Sequence, residues 1–380
     1  MSESLRQAAG SMLVVGLNGT ELTGLERAWL RLVRPGGIIL FKRNITDARQ
    51  TRALLNEATG LGARHAVRCV DVEGGTVNRL RDALAPMPSA QAVGAALLKT
   101  RKSAIAREHG ALVARSVKAF GFNTTLAPVV DLALPASAAV LGSRPPAAAA
   151  GDVIEFASGF LAGLAAQGVV GCGKHFPGLG GASSDTHFET PEIERNWDAL
   201  WAEDLLPYRS LHTQMPMIMT NHAAYPNTRG KEMPASASTY WITTVLRKQI
   251  GYRGIILSDD LEMGGILKFL PVDEAAVAAI RAGSDLLEIC HSPELILRSY
   301  DALIREAERS AAFRKLLLAA ARVTAQKRRR LYASGVTPPC SEKQLNALRV
   351  CIDQFRHKIA SIIAATDATS PRVASPAEIR

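Results

Sequence analysis

The sequence predicts an α/β protein built on one (β/α)8 TIM-type barrel with a C-terminal helical extension. Three observations carry this expectation. At 380 residues the chain is long enough for two average domains or one large barrel. Between Met12 and Cys290 eight short, nearly continuous apolar runs alternate with stretches of helical periodicity, the pattern of parallel strands buried on both faces. The chemically capable polar residues gather at the ends of those runs, where barrel enzymes carry their reactive groups.

The strand candidates, in order, are Met12–Leu17, Gly37–Phe41, Ala66–Asp71, Asn123–Val129, Gly168–His175, Pro216–His222, Gly254–Asp260 and Asp285–Cys290. Helical patterns fill the gaps. "AIAREHGALVARSVKAFG" ends on Gly121, and "PVDEAAVAAIRAG" opens with Pro271 and acidic residues and ends on Gly283. After Arg330, "LYASGVTPPCSEKQ" reads as a break, "QLNALRVCIDQFRHKIASIIAAT" as one amphipathic helix and "SPRVASPAEIR" as a loose tail. The division expected is therefore a barrel over 1–335 and a linker, helix and tail over 336–380, with the helix packed on the barrel.

Composition excludes several classes. The chain is 47% hydrophobic and 21% charged, as in soluble proteins with a large core. No apolar run approaches the ~18–20 residues of a membrane span. The early run "SMLVVGL" lacks a basic flank and a small-residue exit, so it reads as a strand rather than a signal peptide, and the cytoplasm is the expected location. The formal charge of +10 draws on "KRRR" at Lys327–Arg330, read as a solvated helix end. Without an aromatic stacking platform it does not point to nucleic acid. The five cysteines include no C-x-x-C pair, and Cys69, Cys172 and Cys290 lie in apolar runs, so they read as small buried hydrophobes. No metal-ligand spacing and no phosphate-cradling G-x-G-x-x-G follow the first strand, so neither metal nor cofactor is expected. A monomer suffices.

Five strand ends carry charge. The third runs into Asp71, Glu73 and Arg79, and the loop after the fourth holds Arg144. The fifth ends in Lys174-His175, the sixth in Asn221-His222 and the seventh in Asp259-Asp260. Each has a plainer reading by itself. Asp71 and Glu73 could serve a helix dipole, Glu73-Gly-Gly a turn, Lys174 an ion pair, and His222 a hydrogen-bonded wall. Asp185-x-His187 is more telling, since in an extended segment the two side chains face the same way and a carboxylate can orient the imidazole. Side chains alternate at a strand end, so Asp259 is expected to point into the barrel mouth, with Asp260 capping the next helix.

These motifs, "GIILFKRNI", "DVEGGTVNRL", "APVVDL", "KHFPGLGGASSDTH" and "ILSDDLEMGG", resemble glycoside hydrolase family 3, most closely its single-domain β-N-acetylglucosaminidases of peptidoglycan recycling, the NagZ type. The resemblance spans roughly Met12 to Arg309. It implies Asp259 as nucleophile, His187 as general acid/base and Asp185 as its partner. It implies Asp71, Arg79, Arg144, Lys174 and His175 as groups that grip a terminal N-acetylglucosamine (GlcNAc), usually one linked β-1,4 to 1,6-anhydro-N-acetylmuramic acid. His222 is carried as a further candidate for sugar binding. The chain departs from the family at Val72, Thr76, Leu179, Thr186 and Pro145-Pro146.

The expected chemistry is retaining hydrolysis in two steps, with a glycine-rich loop from Gly178 to Ser184 that swings His187 in as a lid would. Other readings stay open: phosphorolysis, a β-glucosidase, a substrate-assisted route, a Schiff-base aldolase using Lys174, and a sugar-binding barrel without catalysis.

Overall fold

The computed structural model describes residues 3–186, 189–333, 335 and 337–367. Ten strands occur among them: β1 Leu13–Val15, β2 Gly37–Ile39, β3 Val67–Val70, β4 Val72–Gly74, β5 Val77–Asn78, β6 Thr124–Thr125, β7 Val170–Phe176, β8 Met217–Thr220, β9 Ile255–Asp260 and β10 Leu286–Ile289. Eight of them close a parallel barrel in the order β1-β10-β9-β8-β7-β6-β3-β2. These eight are the eight apolar runs. The closing seam pairs Leu13 with Leu287 and Val15 with Ile289.

The barrel strands are buried on both faces because side chains alternate between two apolar environments. Val14, Cys69, Cys172, Met217, Leu257 and Leu286 fill the interior. Leu13, Val15, Val70, Ile218, Ile256 and Leu287 face the surrounding helices. The fourth barrel strand is shorter than the apolar run Asn123–Val129. The ladder ends at Thr125, and beyond Pro128, which has no amide hydrogen, pairing continues only as a single bridge between Val129 and Lys174.

The sequence did not suggest the hairpin of β4 and β5. Gly74, the last residue of β4, and Gly75, the first of the two-residue turn, both sit at positive φ. The hairpin folds the chain back so that the Arg79 amide donates to the Asp71 carbonyl at 3.0 Å. It therefore returns a second basic side chain to the end of β3.

Helix ends follow local rules. Thr23 and Glu26 form a capping box, and Asp47, Ser89, Ser292 and Ser310 cap four other helices through their side chains. The helix Val272–Ala282 ends on Gly283 at φ 112°, the left-handed conformation that terminates it.

The base of the barrel is closed by the segment that follows the last barrel helix, Ala311–Leu331. Tyr332 enters the interior, and its hydroxyl lies 2.8 Å from Thr124 Oγ1 and 3.6 Å from Met217 Sδ. The "KRRR" run is only half solvated. Arg329 and Arg330 are exposed, but Arg328 is buried and donates to the Gly36 carbonyl at 2.6 Å. Lys327 pairs with Asp285 at 3.0 Å. Helical periodicity puts Thr324, Lys327 and Arg328 on one face, which is the face turned to the barrel.

The C-terminal helix Glu342–Asp367 lies on helices Ala90–Thr100 and Ala104–Ala119. Leu348, Ile352, Phe355 and Ile359 form its buried stripe. Phe355 stacks on the His109 ring at 5.8 Å, and His109 is also edged by Phe160 at 5.1 Å. Burial among aromatics lowers the His109 pKa to about 3, so its imidazole is neutral there. The tail "SPRVASPAEIR" lies outside the described residues. No helix among the described residues is long and apolar enough to cross a membrane.

Replacing Phe355 with Ala removes the centre of this contact. The expected loss is about 3–5 kcal/mol, read by urea unfolding of the full chain.

Candidate active site

The charged strand ends meet in one pocket at the C-terminal mouth of the barrel, with a volume of about 190 Å³. Asp71, Arg79, Arg144, Lys174, His175, Asp185 and Asp259 all line it. Seven of the nine residues singled out from the sequence are thus brought together. His187 lies outside the described residues, and His222 is elsewhere.

An alternating chain of charges organises one wall. Lys174 Nζ stands 2.8 Å from Asp71 Oδ1 and 2.7 Å from Glu73 Oε1. Glu73 also accepts two hydrogen bonds from Arg144, from Nε at 2.9 Å and from NH2 at 3.0 Å. Arg79 approaches Asp71 Oδ2 at 3.8 Å. Burial alone would favour the neutral form of both acids, but the cations outweigh it. Lys174 and Arg79 hold Asp71 below its ordinary value, and Arg144 and Lys174 hold Glu73 far below. Burial would likewise discharge Lys174, yet Asp71 and Glu73 raise its pKa. The Glu73-Gly-Gly segment is therefore both the turn expected and the anchor of two cations.

Lys174 and His175 are joined by a cis peptide, and both line the pocket. His175 Nε2 accepts from Arg144 NH2 at 3.1 Å. Arginine can only donate, so Nδ1 carries the hydrogen and gives it to Asp131 Oδ2 at 2.7 Å. Asp131 Oδ1 accepts from the Leu179 amide at 2.8 Å. Asp131, within "APVVDL", was not singled out as a site residue from the sequence. It fixes the tautomer of His175 and the start of the next loop together.

At the end of β9 both aspartates reach the pocket. Asp259 Oδ1 accepts from the Asp260 amide at 3.0 Å. Asp260 does not cap the next helix, which starts at Gly264 after Met263. Its Oδ1 instead accepts from the amides of Glu262 at 3.1 Å and Cys290 at 3.2 Å, binding the β9 turn to the end of β10. Burial, and then Glu262, raise its pKa to about 7. Asp260, Glu262 and His291 bring ligand atoms within 4.8 Å of one another. Glu262 already accepts from the amides of Cys290 and Ser292, at 3.1 and 2.7 Å, and from that of His291. A cation there would compete with the bonds that start the helix Pro293–Arg309.

The glycine-rich bend is more firmly held than a hinge from Gly178 onward would be. Gly178 sits at φ 137°, and a Cβ there would lie 2.9 Å from Asp204 Cβ. Its carbonyl accepts from the Tyr225 hydroxyl at 2.8 Å, and Leu179 and Ala182 are buried. Further on, the Gly265 amide donates to the Thr186 carbonyl at 2.9 Å, and Thr190 Oγ1 donates to the Gly265 carbonyl at 2.6 Å. This clasp ties Thr186 and Thr190 to the turn that follows Asp259.

His222 stands behind the wall rather than in the pocket. Its Nδ1 meets Ser236 Oγ at 2.7 Å and its Nε2 meets the Asp260 carbonyl at 2.9 Å. The plainer reading of a hydrogen-bonded wall fits it. Glu288, inside the run "DLLEIC", was passed over as strand interior. It lines the pocket although only 2% exposed. Its signal was there: one carboxyl within an otherwise apolar strand.

The sequence pattern of the Glycosyl hydrolase family 3 N terminal domain matches residues 4–329. The chain belongs to glycosyl hydrolase family 3. A Beta-hexosaminidase of Idiomarina loihiensis is 33% identical over 304 residues, covering 80% of this chain and 91% of the relative. Another, of Alkalilimnicola ehrlichii, is 37% identical over 287 residues, covering 75% and 82%. Among solved structures, the family 3 β-N-acetylglucosaminidase from Paenibacillus sp. superposes with TM-score 0.82 at 28% identity, over 93% of this chain and 69% of that one. NagZ from Neisseria gonorrhoeae, in complex with N-trifluoroacetyl-D-glucosamine, superposes with TM-score 0.70 at 29% identity, over 82% and 97%. This family 3 enzyme is a glycosidase of the β-N-acetylhexosaminidase type, on the (β/α)8 barrel expected.

Within the family 3 pocket Lys174 compensates two buried acids, so Lys174→Met should cost about 3–5 kcal/mol at pH 7 in urea unfolding. The two carboxyls are depressed in the folded state. Their contribution is complete above the unfolded carboxylate range near pH 4 and is lost as pH falls through the folded values. The penalty of Lys174→Met should therefore shrink towards pH 3. A penalty of equal size at both pH values would mean that Lys174 acts through packing alone.

Proposed function

We propose that this enzyme removes terminal β-linked GlcNAc with retention, through a covalent glycosyl ester on Asp259, with His187 as acid/base and Asp185 as its partner. One observation carries the reading: the division of the carboxylates in and just behind the pocket. Asp71 and Glu73 are committed to Lys174 and Arg144, Asp131 to His175, and Asp260 and Glu262 to backbone amides. Among the described residues Asp259 gives up one lone pair, to the neighbouring amide, and faces the pocket.

In the first step an Asp259 oxygen attacks the anomeric carbon. The glycosidic C–O bond breaks, and His187 gives its proton to the leaving oxygen. In the second, His187 takes a proton from water as the water oxygen attacks the same carbon, and the ester C–O bond breaks to free Asp259. The Thr186–Gly265–Thr190 clasp supports this pairing, since it ties Thr186, which precedes His187 in the sequence, to the turn that follows Asp259. The hinge of any loop movement is assigned to Ser183–Asp185, beyond the anchored glycines.

The pocket is smaller than the ~300–1,000 Å³ of drug-sized ligand sites, which suits a single sugar ring and attack at a chain end. Asp71, Arg79, Arg144, Lys174 and His175 are assigned to the hydroxyl and acetamido groups of that ring. The substrate favoured is GlcNAc–1,6-anhydro-N-acetylmuramic acid, free or peptide-bearing, in the cytoplasm. The N-acetylglucosamine analogue held by the Neisseria relative supports the sugar. Residues 1–335 are assigned the catalysis, and 336–380 are read as a brace.

Assay of the wild type with aryl β-GlcNAc, aryl β-glucoside and GlcNAc-anhydromuropeptide, with and without phosphate, tests the substrate. Free GlcNAc is expected in every assay with a GlcNAc substrate, and GlcNAc-1-phosphate would instead establish phosphorolysis. His187→Gly should slow the muropeptide by about 100-fold or more while sparing activated aryl glycosides. Equal loss on both would remove His187 from the acid role. A fluorinated sugar trap should label Asp259 in peptide mapping, and label elsewhere would refute the nucleophile.

A further inference from the structure

Glu288 occupies a position that folding alone does not explain. On β10 the inward positions are Leu286, Glu288 and Cys290, and the outward ones Leu287 and Ile289. Glu288 thus projects toward the barrel axis, one residue pair above an apolar layer. Its Oε1 meets the Cys69 thiol, a weak donor, at 4.0 Å. Its amide is satisfied separately, by Ser258 Oγ at 3.1 Å. A carboxyl in such surroundings is a liability to stability unless it gains a partner. Its open side is the pocket, which it lines with Asp71, Lys174 and Asp259.

We infer that Glu288 is a further sugar-binding residue: it forms the floor of the pocket, where its carboxyl meets the most deeply inserted hydroxyl of the bound N-acetylhexosamine. The inference rests on the reading of the pocket as the site of a single GlcNAc ring. The protonation state agrees with it. Burial, reinforced by Asp259, Asp71 and Asp260, pushes the Glu288 carboxyl well up, which favours its protonated form. A protonated carboxyl both donates and accepts, as a sugar hydroxyl does. It adds no negative charge beside Asp259, which must keep its own charge for attack. It also divides the pocket by role. The wall of ion pairs presents fixed charges, and the floor presents a neutral donor. A floor made only of apolar lining residues such as Ile39, Leu126 and Met219 would leave the innermost hydroxyl unpaired.

The test is calorimetric titration of GlcNAc and its 3-, 4- and 6-deoxy analogues into the full-length wild type, Glu288→Gln and Glu288→Leu. Glu288→Leu should bind GlcNAc about 10- to 100-fold more weakly, the loss of a buried hydrogen-bond partner. Glu288→Gln, which keeps a donor and an acceptor, should stay within about 3-fold. One deoxy sugar should bind the wild type as weakly as GlcNAc binds Glu288→Leu, and should bind both proteins alike. The melting temperature of Glu288→Leu should hold or rise, since a residue kept for binding is not kept for stability. Unchanged GlcNAc affinity in Glu288→Leu would overturn the inference. So would a uniform loss for all four sugars with a lower melting temperature, which marks a structural role. A wild type that binds GlcNAc but releases none from aryl glycosides would sink the hydrolytic reading and leave this one standing. A wild type that hydrolyses those glycosides while Glu288→Leu binds GlcNAc normally would do the reverse.

Discussion

The contact of Lys174 with Asp71 and Glu73 is the constraint on which the active end of the barrel depends. An ammonium buried beside two carboxylates cannot be placed approximately, because each ion without its partner would carry an uncompensated desolvation penalty. Satisfying it sets three chain segments at once: the end of β3, the β4–β5 hairpin and the middle of β7. Arg144 then has one good place, on the free side of Glu73, and it brings the loop after β6 with it. His175 follows from Arg144, and Asp131 from His175. A run of local electrostatic necessities thus builds a wall whose charged groups are already matched to one another.

The same wall shows how a pocket with many acids can leave one of them, Asp259, largely without partners. Most are spent on cations or on amides, and burial pushes the Glu288 carboxyl well above the usual carboxylate range. Asp259 accepts only from the neighbouring Asp260 amide among the described residues, while the groups around it are matched to one another. The site is thus a pre-sorted set of carboxyls, each held in a different state by its neighbours.

Much of this was legible in the sequence, for physical reasons that can be named. The eight strands showed because parallel barrel strands are buried on both faces and must be apolar throughout. Asp71, Lys174, His175 and Asp259 showed because charge at the end of an apolar run is costly without a use. The β4–β5 hairpin did not show, since two- and three-residue strands leave no period to read. Glu288 hid because the run around it looked like any other buried strand. His222 misled because its position at a strand end resembles that of His175, and only the three-dimensional path sends its ring behind the wall to Ser236 and Asp260. Asp260 misled similarly: a cap was expected one residue ahead of a helix, but the helix begins later and the carboxyl serves β10 instead. The glycines of the bend announced a turn correctly, yet whether a turn is loose or locked depends on distant partners such as Tyr225 and Asp204.

The closed seam and the Tyr332 plug carry a consequence for how the chain is made. Leu13 pairs with Leu287, 274 positions later, and the base is sealed only by residue 332. At ~5–20 residues per second on a ribosome, β1 waits tens of seconds for its neighbour. Through that interval the first strand is an unpaired apolar edge and the interior is open from below. The nascent chain must therefore be protected by its own early layers, above all the capped helices that cover β1 to β3, or by chaperones. Tyr332, emerging after all eight strands, is the stopper that turns a curled sheet into a sealed vessel.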